Sequence, residues 1–322
     1  MKVRFGFVAM SLSLVNASPS KTMTAKYFSS LSDREAALRR LTRIAAENLH
    51  NSLRIMRHAV ASGVHLYRFS SKLIPLFGHE LTEGWDFIHQ LHDDFAACGK
   101  FIRTHNLRVS LHPEHYLVLN SPKELVLRNS IADLDRHVQM FTAMSMDERA
   151  KLVIHTGGAY KDKESAMRRF VTNWTTVPEP IRKRITLEND DRTFTARDTL
   201  HLSQTIGIPM VLDLHHHRCN HEDGSTLGDI VQPVFASWQG SGLPPKIHVS
   251  SRRSNTDFRA HANDVDPDDL LAFLDQAREL NQDVDVMIEA KNKDEALFTL
   301  MKKLSLLSSV KVLDGGSILY RP

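Results

Sequence analysis

Short apolar runs alternate with longer amphipathic stretches along the whole chain. Residues 3–8, 64–69, 107–112, 152–155, 185–188, 210–213, 246–249 and 284–289 are brief and rich in Val, Ile and Leu, the pattern of strands buried on both faces. Between them, residues 34–61, 85–102, 122–144, 163–174, 196–205, 227–238, 267–280 and 294–307 show helical spacing. In the first of these, Leu38, Leu41, Ile44, Ala45, Leu49, Leu53 and Ile55 form the apolar stripe. A short tail follows the last helix. Eight strands alternating with helices, with no linker or composition shift, predict one α/β domain over residues 1–322, a (β/α)8 TIM barrel. A doubly wound sheet is the alternative, but no strand-to-helix turn carries Gly-x-Gly-x-x-Gly and there is no P-loop.

The strands end in unusual residues. His112, His155, Glu188, Asp213, His248 and Glu289 lie in or at the ends of strands, and His79, His216 and His261 fall in the loops just after. In a barrel the C-terminal strand ends share one mouth, so nine imidazole and carboxylate groups are expected to converge there. A single strand-end histidine is more often hydrogen-bonded structure than a ligand. Carboxylates crowded together, however, repel one another unless cations lie between them. Mixed His and carboxylate ligands suit zinc or manganese, and this many imply more than one ion. His50, His58, His89, His105, His137 and His201 fall within helical patterns or beside loops and read as solvated or packing residues. Lys246 shares a strand face with His248 by the two-residue period. Pointing at metals, it would be a neutral amine or a carbamate formed with carbon dioxide.

Composition narrows the class modestly. Two cysteines among 322 residues exclude a disulfide framework and a Cys-type zinc finger. A net charge of +3 permits a nucleic-acid partner without requiring one. Arg168-Arg169, Arg182-Lys183-Arg184, Arg252-Arg253 and Lys291/Lys293 could track a DNA backbone, and Arg252, Arg253 and Lys291 follow strands seven and eight on the mouth side. Lys2 and Arg4 precede an apolar run, but Gly6, Ser11 and Ser13 interrupt it, and the segment reads as a first strand rather than a signal peptide. No apolar run approaches a membrane span. A cytoplasmic protein, nucleoid-associated when acting, is expected, with no membrane or nucleotide cofactor and no obligate oligomer.

Several motifs together resemble the UV-damage endonucleases, a family similar in fold to endonuclease IV and, more distantly, to xylose isomerase-like barrels. They are Arg4-Phe5-Gly6-Phe7, Ala17-Ser18-Pro19-Ser20-Lys21-Thr22, Leu66-Tyr67-Arg68-Phe69-Ser70-Ser71, His155-Thr156-Gly157-Gly158-Ala159-Tyr160, Leu187-Glu188-Asn189-Asp190, Asp213-Leu214-His215-His216 and Ile288-Glu289-Ala290-Lys291. The resemblance implies a metal-dependent repair endonuclease that nicks damaged double-stranded DNA immediately 5′ of pyrimidine dimers and 6-4 photoproducts, by attack of metal-activated water on the phosphodiester. It implies two or three ions, Mn2+ first, with Zn2+, Co2+ or Mg2+ as substitutes. Its ligands would fall on His79, His112, His155, Glu188, Asp213, His216, His248, His261 and Glu289. Lys246, Glu188 and His248 would be catalytic, with Lys246 the family's carboxylated lysine. Lesion probing would fall to His115, where the family commonly has Gln, to Tyr116 and to Phe7. An apurinic-site endonuclease and a sugar isomerase on the related barrel are the competing expectations.

Overall fold

The structure, a computed structural model, describes residues 1–224 and 226–321. The chain runs β1 (Lys2–Val8), α1 (Ala25–Ser30), α2 (Arg34–Ala61), β2 (Leu66–Phe69), α3 (Phe87–Gln90), α4 (His92–Thr104), β3 (Arg108–Leu111), α5 (Glu124–Ala143) and β4 (Lys151–His155). It continues with α6 (Lys163–Trp174), α7 (Glu179–Arg182), β5 (Ile185–Glu188), α8 (Ala196–Ile206), β6 (Met210–Asp213), α9 (Leu214–Cys219), α10 (Leu227–Ser237) and β7 (Lys246–Val249). Finally come α11 (Pro267–Ala277), β8 (Val284–Ile288), α12 (Lys293–Leu304), β9 (Val310–Asp314) and β10 (Ser317–Tyr320). Strands β1 to β8 pair in parallel in sequence order, and β1 closes on both β8 and β2. The eight expected strands form a closed TIM barrel.

Local chemistry sets the element ends. The Asp33 side chain caps α2 by accepting from Glu35 N. Thr195 and Asp198 form a capping box at α8, which stops at Gly207 in the left-handed region (φ 70°). Each strand sends one face to the helices and the other into the barrel. Phe5, Phe7, Tyr67 and Phe69 pack outward with the helices, whereas Val153 and Val211 meet buried Trp238 in a separate cluster. At Gly6 a Cβ would overlap Leu66 of β2, so glycine permits the close approach that seals the barrel there.

Three features depart from the sequence pattern. The helix expected over residues 85–102 is split at Leu91, whose φ of −111° lies outside helical values. The tail is a hairpin: β10 runs antiparallel to the first half of β1, pairing Lys2 with Leu319. Parallel pairing of β1 with β2 spans only Gly6 to Val8, which leaves the start of β1 open on that side, and β10 fills it. Third, His216 lies not in a loop but in helix α9, whose N-cap is Asp213. Among the described residues no helix is long and apolar enough to cross a membrane.

Candidate metal centre

Two-residue periodicity carries Glu188, His248 and Glu289 to the same end of the barrel, and Glu188 lies at the centre of the cluster. Its carboxylate is 1% exposed. One oxygen accepts from His248 Nδ1 at 2.7 Å and the other meets His112 Nε2 at 2.9 Å, with His155 Nε2 at 3.8 Å. His248 Nδ1 also lies 2.9 Å from Glu289, which is itself paired with Arg68 from β2. Ligand atoms of His112, His155 and Glu188 fall within 4.8 Å of one another, as do those of Glu188, Asp213, His248 and Glu289. Glu188 therefore belongs to both groups.

The imidazoles are oriented by main-chain carbonyls. His112 Nδ1 faces Pro113 O at 2.9 Å, His155 Nδ1 faces Glu188 O at 3.3 Å, His216 Nδ1 faces Asn189 O at 2.9 Å and His261 Nδ1 faces Glu289 O at 2.6 Å. A carbonyl only accepts, so Nδ1 carries a proton in each ring, and Nε2 is left as the nitrogen a metal would take once that nitrogen gives up any proton of its own. His155 and His216 are neighbours at a ring separation of 5.7 Å, and His216 and His261 at 6.2 Å. The Asp213–α9 corner is fixed by Asn189, which donates to Asp213 O at 3.0 Å and accepts from Asp213 N at 2.9 Å.

Charge and burial compete here. Burial would raise the Glu188 carboxyl, but His248 and His155 and the hydrogen bonds from His112 and His248 hold it well below the usual carboxylate range. Glu289 is likewise opposed by burial and held low by Arg68 and His248. Burial opposes the charged form of His216, yet Asp213, Glu188 and Glu289 raise it to about 9. Without ions, protonated imidazoles supply the positive charge that the carboxylates require. Two buried atoms of this cluster find no hydrogen-bond partner among the described residues, Asp213 Oδ2 and His248 Nε2. Unpartnered buried donors and acceptors are rare and costly, and beside a nitrogen and oxygen donor set they fit divalent cations as the missing partners.

Lys246 sits in the barrel interior beneath this cluster and is 3% exposed. Its Nζ donates to Ser110 Oγ at 2.7 Å. Burial, then the charges of Arg108 and Arg68, lower its pKa well below that of free lysine. Under it lies an ion triad: Arg4 contacts Asp285 through Nε and Nη2, both at 2.7 Å, and Arg108 Nη1 reaches the same carboxylate at 2.5 Å.

Other sequence-derived candidates lie elsewhere. His79 Nδ1 accepts from Leu81 N at 3.1 Å as an N-cap, and among the described residues no hydrogen bond, ion pair or ring contact joins it to the other eight. Phe7 is fully buried, edge-on to Tyr67 at 6.1 Å. It lies on the strand face opposite Arg4, which points into the barrel, so the ring faces the helices and does not reach the mouth. His115 and Tyr116 are exposed at the tip of the loop after β3, Tyr116 to 65%. Arg252, Arg253 and Lys291 are exposed on the mouth side, with Arg253 paired to Asp257 at 2.8 Å. Arg68 escaped the sequence reading as a site residue. The signal was present, because an arginine between Tyr67 and Phe69 in a buried strand needs an anionic partner.

A protein-family model described as UV-endonuclease UvdE matches residues 3–321. The UV DNA damage endonuclease of Halalkalibacterium halodurans is 41% identical over 323 residues, covering 100% of both chains. Among solved structures, SacUVDE superposes with a TM-score of 0.82 at 29% identity, over 94% of this chain and 98% of that one. Endonuclease IV from Thermus thermophilus gives 0.55 at 15% identity, over 94% and 100%, a likeness of fold alone.

Proposed function

The chain belongs to the UV-endonuclease UvdE family and is a DNA repair endonuclease, and on that premise we propose that it nicks duplex DNA immediately 5′ of UV photoproducts. The carrying observation is the shared Glu188 carboxylate between two ligand groups, with Asp213 Oδ2 and His248 Nε2 left unpartnered beside it. His112, His155, His216 and His261 would hold divalent ions through Nε2, together with Glu188, Asp213, His248 and Glu289. His79 would join only after its ring gives up the Leu81 amide. A cluster of two or three ions, manganese by preference, supplies Lewis acidity and charge neutralisation for phosphodiester hydrolysis.

The chain's own groups prepare that chemistry. Arg68 holds Glu289 in its ionised form, and the carbonyls of Asn189 and Glu289 fix the His216 and His261 rings. The Lys246 amine would attack the carbon of carbon dioxide, forming the N–C bond as one C=O π bond opens, and release one proton to solvent to leave a carbamate. Burial of Lys246 and the charges of nearby Arg108 and Arg68 lower the pKa of the amine well below that of free lysine, which favours the nucleophilic form, and the same arginines favour the carbamate anion. His115 and Tyr116 hold the distorted strand from the loop after β3, while Arg252, Arg253 and Lys291 contact phosphates.

The test is metal content together with cutting. Two or three equivalents of metal per chain by mass spectrometry, with nicking of a dimer-containing duplex that chelator removes and manganese restores, are expected. Chelator-resistant nicking would refute the metal-dependent reading.

A further inference from the structure

The Gly157-Gly158-Ala159-Tyr160 motif contributes none of the imidazole, carboxylate or lysine groups gathered at the barrel mouth. It forms the mouth loop directly after His155, and its backbone is unusual: Tyr160 and Lys161 both adopt the left-handed region, at φ 49° and 72°. Each such non-glycine residue costs on the order of 1 kcal/mol, and two in succession persist only where the surroundings impose them. The turn they form is closed by Asp162 N, which donates to Ala159 O at 3.0 Å, and the glycines before it are anchored from below. Asn120, fully buried, donates to Gly158 O at 2.8 Å, and its main-chain carbonyl accepts from Arg169 Nε at 3.2 Å. A Cβ on Gly157 (φ 112°) would overlap Asn120 Oδ1, so that position is confined to glycine. The Arg169 guanidinium then supports the Tyr160 ring, 5.3 Å from its centroid.

The result of this bracing is an exposed side chain. Tyr160 is 44% accessible, and its hydroxyl makes no hydrogen bond among the described residues. Lys161 beside it is exposed and makes no ion pair among the described residues. Asn120 closes the loop that begins at His112 and carries His115 and Tyr116, so the Asn120–Gly158 bond ties together two mouth loops that each carry an outward tyrosine.

We infer that Tyr160 is a second aromatic contact to DNA, its hydroxyl donating to a phosphate oxygen of the duplex lying across the barrel mouth, with the Lys161 ammonium beside it. Asn120 and Arg169 are positioning residues that hold the ring in place. The inference rests on the nuclease reading, and the ligand chemistry is the phosphodiester backbone rather than a base. A phosphate contact carries no lesion information, so it strengthens binding to damaged and undamaged duplexes alike.

The experiment compares wild-type holoenzyme with Tyr160→Phe, Tyr160→Ala and Lys161→Gln. Dissociation constants are measured by fluorescence anisotropy on an undamaged duplex, and kcat and KM on a duplex with one pyrimidine dimer. Both Tyr160 variants are expected to bind the undamaged duplex about tenfold more weakly, the scale of one lost hydrogen bond to a charged acceptor. Their KM should rise by the same factor, with kcat within about twofold of wild type and melting temperature unchanged. Lys161→Gln should lower the slope of log affinity against log salt by about one. Wild-type affinity in Tyr160→Phe would overturn the hydroxyl contact. A fall in kcat at constant KM, or a loss explained by lower melting temperature, would overturn it equally. Failure of wild type itself to nick the dimer duplex would instead refute the nuclease reading.

Discussion

Replacing Asp285 with alanine strands two arginines at the barrel floor, one of them out of reach of water. The Arg108 side chain is 6% exposed and that of Arg4 26%. Removing one partner of a buried ion pair costs about 3–5 kcal/mol, because the remaining charge stays desolvated. Arg108 retains the Pro244 carbonyl at 2.8 Å and the Trp238 ring at 4.9 Å, and Arg4 can turn to solvent, so the lower end, about 3 kcal/mol, is expected here. At roughly 2 °C per kcal/mol for a chain of this size, the melting temperature should fall by about 6 °C. Arg4→Ala leaves the Arg108–Asp285 pair intact and should cost only about 1 kcal/mol, near 2 °C. The diagnostic variant is Asp285→Ala combined with Arg108→Leu. Removing both of these charges should be less damaging than Asp285→Ala alone, since only Arg4, which can turn to solvent, is then left without its partner. Differential scanning fluorimetry reads all three variants, with circular dichroism to confirm folding. A loss below about 2 °C for Asp285→Ala, or additive losses in the double variant, would refute the argument.

Glu188→Gln should reduce bound metal and lower nicking by at least about a thousandfold while the fold persists; full activity at normal metal content would exclude Glu188 from the site. Lys246→Met should fold normally but lose nicking, and holoenzyme equilibrated with 13C-labelled bicarbonate should show a carbamate resonance that this variant lacks. Alanine at Tyr116 or His115 should reduce the ratio of damaged to undamaged cutting, measured on paired duplexes, more than it reduces affinity for undamaged DNA. His137 is buried, and burial lowers its pKa from 6.5 to about 4. A depressed folded-state value means stability present above pH 6.5 and lost as pH falls toward 4, about 3 kcal/mol in all. In His137→Leu, urea unfolding should be flatter across that window, and an unchanged slope would refute the assignment.

The barrel was readable because buried parallel strands are short apolar runs, and the cluster of imidazoles and carboxylates because those runs end abruptly in His, Asp or Glu. His112, His155, Glu188, Asp213, His248 and Glu289 needed only period two and the rule that barrel strands share a mouth. Residues outside strands were less legible. His216 is aimed by a helical turn that starts at Asp213, and three consecutive histidines do not show which of them faces the carboxylates. His79 caps a short 3-10 turn in a long loop, where sequence spacing sets no direction. Phe7 was misplaced by proximity to a strand end. The parity rule that points Arg4 inward toward Asp285 turns Phe7 outward, and position along the strand alone hides that. The C-terminal hairpin depends on a gap left by unequal pairing of β1 and β2, a tertiary fact without a local signature.

The central claim is a metal-dependent cut at a defined place, and an end-labelled duplex with one pyrimidine dimer tests it most directly beside an undamaged twin. Purified protein is incubated with each in manganese, and again with chelator, and the products are mapped at single-nucleotide resolution. One manganese-dependent nick immediately 5′ of the dimer, absent from the twin, is the expected result. Equal cutting of both duplexes, a cut elsewhere, or no cut by metal-loaded protein would contradict it.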